Sequence, residues 1–296
     1  MIRKENRSLF YVDAGNALVP KERKLPTSYY YEKAETLIGM LNAMGLDVFA
    51  PGPHDFELGS EKLKALSKQA KFPFVASNVK DKGGNALFER YVILERKGLK
   101  VAFISLTPVE KMSDPSVRVD DPKDTAIALA KEIGSDADII VALSQMESAR
   151  DEKLVNELPV QIIVGADPAI AVHRAFWGKD GRALLVDTSD QGQMLGRLDA
   201  DLKIPFQGFY SNEDIKQNLA RLDYFEKKSV LNPKDEALKS SISNFKKTAQ
   251  LSPIPGGSFY EHGLIELTEK RFGKKNQLSK AIADEAKRLR KKALGE

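Results

Sequence analysis

The chain has 296 residues, of which 42% are hydrophobic and 30% are charged. This composition supports one large globular domain, or a domain with an appendage, and argues against a disordered chain. The 46 basic and 42 acidic residues leave a formal charge of +4, which does not indicate nucleic-acid binding by the molecule as a whole. The sequence contains no cysteine, which excludes disulfides, thiolate metal sites and cysteine nucleophiles.

Short apolar runs alternate with amphipathic stretches from the first residues onward. Strands are predicted at LFYVDAG, LDVFAPG and FPFVASNV, with helices between them at 31–44 and 61–70. Further strands are predicted at YVILERKG, KVAFISLTP, DIIVALSQ, VQIIVGAD and RALLVDTS, and GRLDADLK is the expected closing strand. This order predicts an α/β domain in which most loops follow the carboxyl ends of strands, where open α/β sheets place their sites.

The pattern changes near residue 205. Apolar residues recur at helical spacing from 212 to 228 and again around Ile242, and Asn232-Pro233 separates the two segments. The sequence therefore predicts a helical hairpin, a linker rich in proline and glycine at LSPIPGGSFYEHG, and a basic helix at 277–294. We divide the chain into a domain at 1–205 and a helical C-terminal appendage at 206–296.

Polar residues follow four of the predicted strands. These loops contain Asp13 and Asn16, then Pro53, His54, Asp55 and Glu57, then Gln145, and finally Asp167, His173 and Arg174. Loops at one edge of a sheet can converge on a site, although exposed loops are also polar when they carry no function.

The order of these motifs resembles the 5′-nucleotidase branch of the calcineurin-like metallophosphoesterases over roughly residues 8–205. That branch reads DAGD, a helix ending in N-MG-DV, GNHEFD-G, FP-LSAN, G-KV-IIGLT, AD-IV-LSH, D-IVGGHSH and G--LGRLD. The chain supplies DAGN, LNAMGLDVFAPGPHDFELG, FPFVASNV, KGLKVAFISLT, ADIIVALSQ, VQIIVGADPA and GQMLGRLD. The resemblance implies a two-sheet α/β sandwich flanked by helices, and a two-metal site that hydrolyses phosphate esters.

Compared residue by residue, the resemblance implies that the metal ligands have been replaced. The positions of the family's aspartate, asparagine and histidine ligands fall on Asn16, Pro53, Gln145, Asp167 and Ala169. The family's aspartate-x-histidine pair should precede the first strand, and MIRKENRSL contains neither residue. Proline and alanine offer no side-chain ligand, so neither two-metal hydrolysis nor a bound cofactor is expected.

Two residues of the family's acid-base machinery are retained. His54 matches the histidine that stabilises the transition state, and Glu57 stands where an aspartate orients it. An alternative to a metal-free site is one divalent cation, magnesium, calcium or manganese, held by oxygen atoms of Asp13, Asn16, Asp55 and Asp167. Asp13 and Asp55 are also good turn and cap residues without any ion.

Two functions follow from these observations. The first is a catalytically inactive phosphoesterase-like domain that acts as a binding or scaffolding module for an unknown protein partner or a small anion. The second is a metal-dependent phosphomonoesterase or 5′-nucleotidase with an altered site that uses His54.

The remaining candidates concern partners and localisation. His173 and Arg174 adjoin Phe176 and Trp177. Two interpretations are open: a contact with phosphate or a partner through the arginine, or packing of the two aromatic residues in the core. The basic helix at 277–294 is expected to contact a partner or an anionic surface, and specific nucleic-acid binding is not expected. The sequence also bears on membrane insertion and localisation. No apolar run reaches the roughly 20 residues of a transmembrane helix. Export to the periplasm is favoured if a leader has been removed in front of Met1.

Overall fold

The computed structural model describes residues 8–20, 22–167, 176–178, 181–188 and 194–266, together with Lys287, Arg288 and Lys291. Within these residues the chain forms six α-helices: α1 Thr27–Met44, α2 Ser60–Gln69, α3 Pro122–Ile133, α4 Ser148–Leu154, α5 Asn212–Leu231 and α6 Glu236–Thr248. The same residues form thirteen strands: β1 Val12–Asp13, β2 Val48–Phe49, β3 Val79–Asp81, β4 Val92–Arg96, β5 Leu99–Leu106, β6 Val117–Val119, β7 Ile139–Glu147, β8 Ile162–Asp167, β9 Phe176–Trp177, β10 Leu184–Asp187, β11 Met194–Asp201, β12 Phe209–Tyr210 and β13 Ser258–Glu266.

The largest sheet has six strands in the order β4-β5-β7-β8-β10-β9. The four central strands are parallel, and the edge strands β4 and β9 pair antiparallel to their neighbours. Almost every residue of β5 and β7 is buried, because both faces of the sheet are covered. Such continuous apolar runs are typical of central parallel strands.

Each face of this sheet has its own core. On the outer face, α3 and α4 bury Leu129, Ile133 and Leu154 against β5, β7 and β8. On the inner face, Phe103 and Leu143 share one apolar cluster with Val48 and residues of the small parallel sheet β1-β2. The predicted α/β fold is therefore confirmed, with the described strands in several sheets, and it brings the carboxyl ends of β1 and β2 toward that of β7.

The third sheet corrects the predicted linker. The segment predicted as a proline- and glycine-rich linker contains the start of β13, which pairs antiparallel with β11 from Met194↔Glu266 to Asp201↔Phe259. The paired residues are 58 to 72 positions apart in the sequence. Such long-range pairing leaves no local signal beside PIPGG. Strand pairing therefore crosses residue 205, and the division of the chain at that residue stays a prediction.

The predicted helical hairpin is confirmed as α5 and α6. Asn232 and Pro233 separate the helices, and Ser211 and Asp235 cap their first turns by accepting from Asp214 N and Leu238 N. Phe225 and Phe245 meet edge to face at 5.9 Å between ring centroids. In these two helices, as far as their side chains are described, only Ile215 is fully buried.

The predicted basic helix at 277–294 lies outside the described residues except for Lys287, Arg288 and Lys291, which are helical. No helix in the described part of the chain is both long and apolar enough to cross a membrane.

Candidate functional site

Two loops at the carboxyl ends of β1 and β2 are packed tightly against each other. Gly15 has φ +99°, and a Cβ at this residue would lie 2.1 Å from the Ala50 carbonyl oxygen. A Cβ at Gly52 would lie 2.3 Å from Asn16 Oδ1. The absence of a side chain at both glycines permits this close approach, so the DAGN and GPHDF loops pack directly against each other.

Asp55 ties the two loops together. Its carboxylate is fully buried, and it accepts backbone N–H groups from Asn16 at 2.8 Å, Leu18 at 2.8 Å and Gly52 at 2.9 Å. Both carboxylate oxygens are used in these bonds. Asp55 therefore holds the two loops together through hydrogen bonds. The sequence analysis gave two roles for this residue, a cation ligand or a turn residue, and these bonds are those of a turn residue.

Asn16 is the residue that the resemblance aligns with one of the family's aspartate ligands. Its backbone has φ +59°, a left-handed conformation that asparagine tolerates better than most residues. The side-chain oxygen accepts the backbone N–H of His54 at 3.0 Å. The Asn16 side chain therefore holds the loop that contains His54.

Gln145 stands at the end of β7 where the resemblance places a histidine ligand, and 1% of its surface is exposed. Its Nε2 donates to the carbonyl oxygens of Ala14 at 2.8 Å and Ala50 at 3.3 Å. Its Oε1 accepts from the Thr107 hydroxyl at 2.9 Å. One amide therefore links β7 to the ends of β1, β2 and β5.

His54 and Glu57 form the pair that the resemblance predicts, with His54 Nδ1 2.8 Å from Glu57 Oε1. The second oxygen of Glu57 binds the Arg23 guanidinium at 2.6 Å. Sequence reasoning missed Arg23, because it lies in the unremarkable basic run KERK and its partner Glu57 is far away in sequence. The side chain of His54 is 33% exposed and that of Arg23 37%, so both border solvent.

Pro53 and Asp13 complete the described part of the site. Pro53 is buried and has no side-chain donor or acceptor. Asp13 accepts the Gly15 N–H at 2.8 Å. Burial raises the pKa of Asp13 to about 6 although this hydrogen bond lowers it. Burial likewise raises the pKa of Asp55 to about 7, against its backbone hydrogen bonds and with the charge of Asp13 adding to the rise.

The raised pKa of Asp13 predicts a pH-dependent stability. Between the ordinary value of 3.8 and about 6, the native chain binds more protons at Asp13 than the unfolded chain does. The free energy of unfolding therefore falls as pH rises through this window. Asp13→Asn keeps an oxygen for the Gly15 N–H and removes the titration, so it is expected to raise the free energy of unfolding by about 1–2 kcal/mol at about pH 8.

Urea denaturation at about pH 4 and about pH 8 measures this effect. Asp81 is the matched control, because hydrogen bonds from Asn85 lower its pKa and Asp81→Asn is expected to reduce stability at the higher pH. An Asp13→Asn variant that is shifted equally at both pH values would contradict the interpretation.

The other candidate residues are only partly described. Asp167 is the last residue of β8, and its side chain lies outside the described residues, as do Ala169, His173 and Arg174. Phe176 and Trp177 form β9, which pairs with β10. Among the side chains that are described, no three histidine, aspartate or glutamate residues come together as a metal-binding group.

The described residues do not fit a two-metal centre. Such a centre needs carboxylate and imidazole ligands around each ion. At the positions where the resemblance places ligands, the chain has an amide bound to backbone in Asn16, an apolar ring in Pro53 and a second bound amide in Gln145.

Comparison with known proteins supports the resemblance seen in the motifs. No protein-family model matches the chain. The chain is 32% identical over 115 residues to the 5′-nucleotidase of Vibrio cholerae, a match that covers 36% of this chain and 21% of that protein. It is 29% identical over 164 residues to the trifunctional nucleotide phosphoesterase protein YfkN of Bacillus subtilis, covering 48% of this chain and 11% of that protein.

Solved structures share the fold. The crystal structure of calcineurin-like phosphoesterase YfkN from Bacillus subtilis matches with a TM-score of 0.61 at 17% identity, over 99% of this chain and 86% of that one. The 5′-nucleotidase precursor from Thermus thermophilus matches with a TM-score of 0.59 at 23% identity, over 69% of this chain and 44% of that one.

These matches establish the fold and the proteins to which the chain is similar. The fold is that of the calcineurin-like phosphoesterases. The chain's sequence relatives are 5′-nucleotidases and nucleotide phosphoesterases, as the motifs predicted. The matched segment spans about a fifth of the length of the first of these relatives.

Proposed function

We propose that this domain does not hydrolyse phosphate esters by a two-metal mechanism and serves as a binding or scaffolding module. The observation that supports the proposal is the Gln145 amide, which hydrogen-bonds to Ala14, Ala50 and Thr107 where the resemblance implies a histidine ligand. A metal would have to compete with these buried hydrogen bonds, and an amide is a weak ligand compared with imidazole.

A single cation is the weaker proposal for the same cleft. Asp55 was a candidate oxygen ligand, but both of its oxygens accept backbone N–H groups. Asn16 Oδ1 is similarly engaged by His54 N. A cation at this edge would therefore depend on Asp13 and Asp167, which is fewer protein oxygens than magnesium or calcium usually takes when bound by protein groups.

The partner of the module is proposed to be a protein or a small anion at the rim of the cleft. His54 and Arg23 both border solvent there, and imidazole and guanidinium groups bind carboxylates and phosphates. The basic segment at 277–294 is proposed as a second contact region for a partner or an anionic surface. Export from the cytoplasm is also a proposal, supported by the solved relative described as a precursor.

A second candidate function is a hydrolase with an altered site. The observation that favours it is the chain of contacts from Arg23 through Glu57 to His54, which fixes the imidazole by its Nδ1 atom. A histidine held in this way presents Nε2 as a proton donor or acceptor toward a bound substrate. This function would still need a metal or another group to activate water.

One kinetic experiment distinguishes the two candidate functions, the binding module and the altered hydrolase. We expect purified protein supplied with manganese, zinc or cobalt to show no phosphomonoester turnover above that of the His54→Ala variant prepared in the same way. Because the same contaminating phosphatases are carried into both preparations, the variant is the proper baseline. Robust turnover by the unmodified chain that disappears in His54→Ala would establish the altered hydrolase instead.

A further inference from the structure

A second group of buried polar side chains lies on the outer face of the large sheet, beside α4. Strand register places Ser144 of β7 and Asp187 of β10 on the two sides of Gly165 of β8. Asp151 of α4 is fully buried, and its Oδ1 accepts the Ser144 hydroxyl at 2.7 Å. Asp187 is 2% exposed. We call Asp151 and Asp187 the carboxylate pair.

Gly165 lets the two carboxylates approach each other. A Cβ at Gly165 would overlap Asp187 Oδ1 and would lie 3.4 Å from Asp151 Oδ2. One oxygen of each carboxylate therefore reaches the space over the same glycine. Two carboxylates in one buried space do not ionise independently, because the negative charge of one raises the pKa of the other.

Asp187 has one buried oxygen without a hydrogen-bond partner. Its Oδ2 accepts the Ser148 hydroxyl at 3.3 Å, whereas its Oδ1 accepts no hydrogen bond. An ionised carboxylate in the protein interior needs donors or a cation around its oxygens. A protonated carboxyl group needs the reverse, an acceptor for its own O–H, and Asp151 offers a carboxylate oxygen across Gly165.

The side chains of α4 that face Asp187 do not neutralise it. Burial raises the pKa of Asp187, the Ser148 hydrogen bond opposes this rise, and the negative charge of Glu152 adds to it. The two basic residues of α4 are directed elsewhere, since Arg150 binds a glutamate outside this helix at 2.7 Å and Lys153 is exposed.

The strands beside β10 add no basic residue. β8 has Asp167 as its one ionisable residue, with a side chain outside the described residues, and β9 has none. A cation explains the unpartnered oxygen of Asp187 less well than a proton does. The described side chains here supply two carboxylates and two hydroxyls, whereas calcium takes about six to eight oxygen ligands.

We propose that the carboxylate pair holds one proton, which Asp187 donates to Asp151, and that this hydrogen bond fastens α4 to β10 in a pH-dependent way. When the proton leaves to water, two negative charges remain over Gly165 in a buried site. Their repulsion and their lost hydration favour separation of α4 from the sheet. The device lies on the face opposite to the Gln145 side chain, so it does not depend on the proposed function of the cleft.

The direction of the pH effect follows from proton binding. The pKa of Asp187 is raised above its ordinary value of 3.8. Between these two values the folded chain holds a proton that the unfolded chain has released, so the contact between α4 and β10 weakens as pH rises. A bound cation would give the opposite trend, because protons compete with cations for carboxylates.

The test is hydrogen exchange of the full chain, followed by mass spectrometry at about pH 5 and about pH 8 with exchange times corrected for the intrinsic rate. We expect protection of peptides covering α4 and β10 to fall by about tenfold or more at the higher pH. Asp187→Asn should keep its protection at both values, because its amide N–H replaces the carboxyl O–H and does not titrate. Peptides covering β1 and β2 should respond to pH alike in both proteins.

Two further variants make the comparison specific. Asp151→Asn keeps an oxygen for the Ser144 hydroxyl and offers an N–H to Asp187 Oδ1, so it should also remove the pH dependence. Asp136→Asn is the matched control, since Asp136 is exposed in the turn before β7, and α4 should lose protection in it as in the unmodified chain.

Three results would overturn the proposal. Equal loss of α4 protection in the unmodified chain and in both variants of the carboxylate pair would show that the pair holds no proton. Lower protection of Asp187→Asn at both pH values, or its failure to fold at about pH 5 by circular dichroism, would show that Asp187 acts as an ion. Calcium that protects α4 in the unmodified chain but not in Asp187→Asn would assign a cation to the pair.

Discussion

Asp55→Ala is expected to lower the free energy of unfolding by about 3–5 kcal/mol, the largest single effect in the cleft. The carboxylate accepts three backbone N–H groups, from Asn16, Leu18 and Gly52, in a fully buried position. Removing it leaves these donors without an acceptor and removes the contact that holds the two loops together. Urea denaturation followed by circular dichroism measures the change.

Asp81→Ala is the matched control for this prediction. Asp81 also accepts a backbone N–H, from Asn85 at 2.9 Å, but it does so in a surface turn where water can replace it. We expect that variant to be clearly less destabilised than Asp55→Ala. If both variants lost the same small amount, Asp55 would not be the anchor of the loops.

Gln145→Met is expected to cost about 2–4 kcal/mol although methionine nearly matches glutamine in volume. The substitution leaves the carbonyl oxygens of Ala14 and Ala50 and the hydroxyl of Thr107 without their partner in a buried site. An effect of this size would show that the hydrogen bonds of the Gln145 amide stabilise the fold. A Gln145→Met variant as stable as the unmodified chain would show that the amide holds nothing together.

Gln161→Met serves as the comparison for Gln145. Gln161 Oε1 accepts the N–H of Ile140 at 2.7 Å, and Gln161, which directly precedes β8, is only partly buried. It therefore makes one polar contact where Gln145 makes three. We expect Gln161→Met to be clearly less destabilising than Gln145→Met in the same denaturation experiment.

Much of the architecture could be predicted because its signals are local. The break at Asn232-Pro233 and the apolar spacing before it predicted α5 and the turn into α6. The apolar runs of β5 and β7 marked the central strands. By contrast, α3 was not predicted, although Asp121 caps it and Pro122 opens it, and β13 was taken for part of a linker because its partner β11 lies far away in sequence.

The convergence of the site could also be predicted, but not its chemistry. The loops after β1, β2 and β7 were expected to converge, and they do so although β1 and β2 form a sheet separate from that of β7. Asn16 binds the N–H of His54, and Gln145 binds the neighbouring carbonyl of Ala14. What sequence cannot show is that Asp55 and Gln145 bind backbone groups, because a backbone N–H or carbonyl is present at almost every position and carries no pattern. The contact between Arg23 and Glu57 was missed for a similar reason, since lysine and arginine are common on surfaces.

The most direct test of the proposed function is the metal content of the purified chain. The protein is incubated with manganese, zinc and magnesium, desalted, and measured by inductively coupled plasma mass spectrometry. The engaged side chains of Asn16, Gln145 and Asp55 predict that almost no transition metal is retained. One or two equivalents of metal per chain, lost in an Asn16→Ala variant that still folds, would contradict the account and assign a metal centre to this cleft.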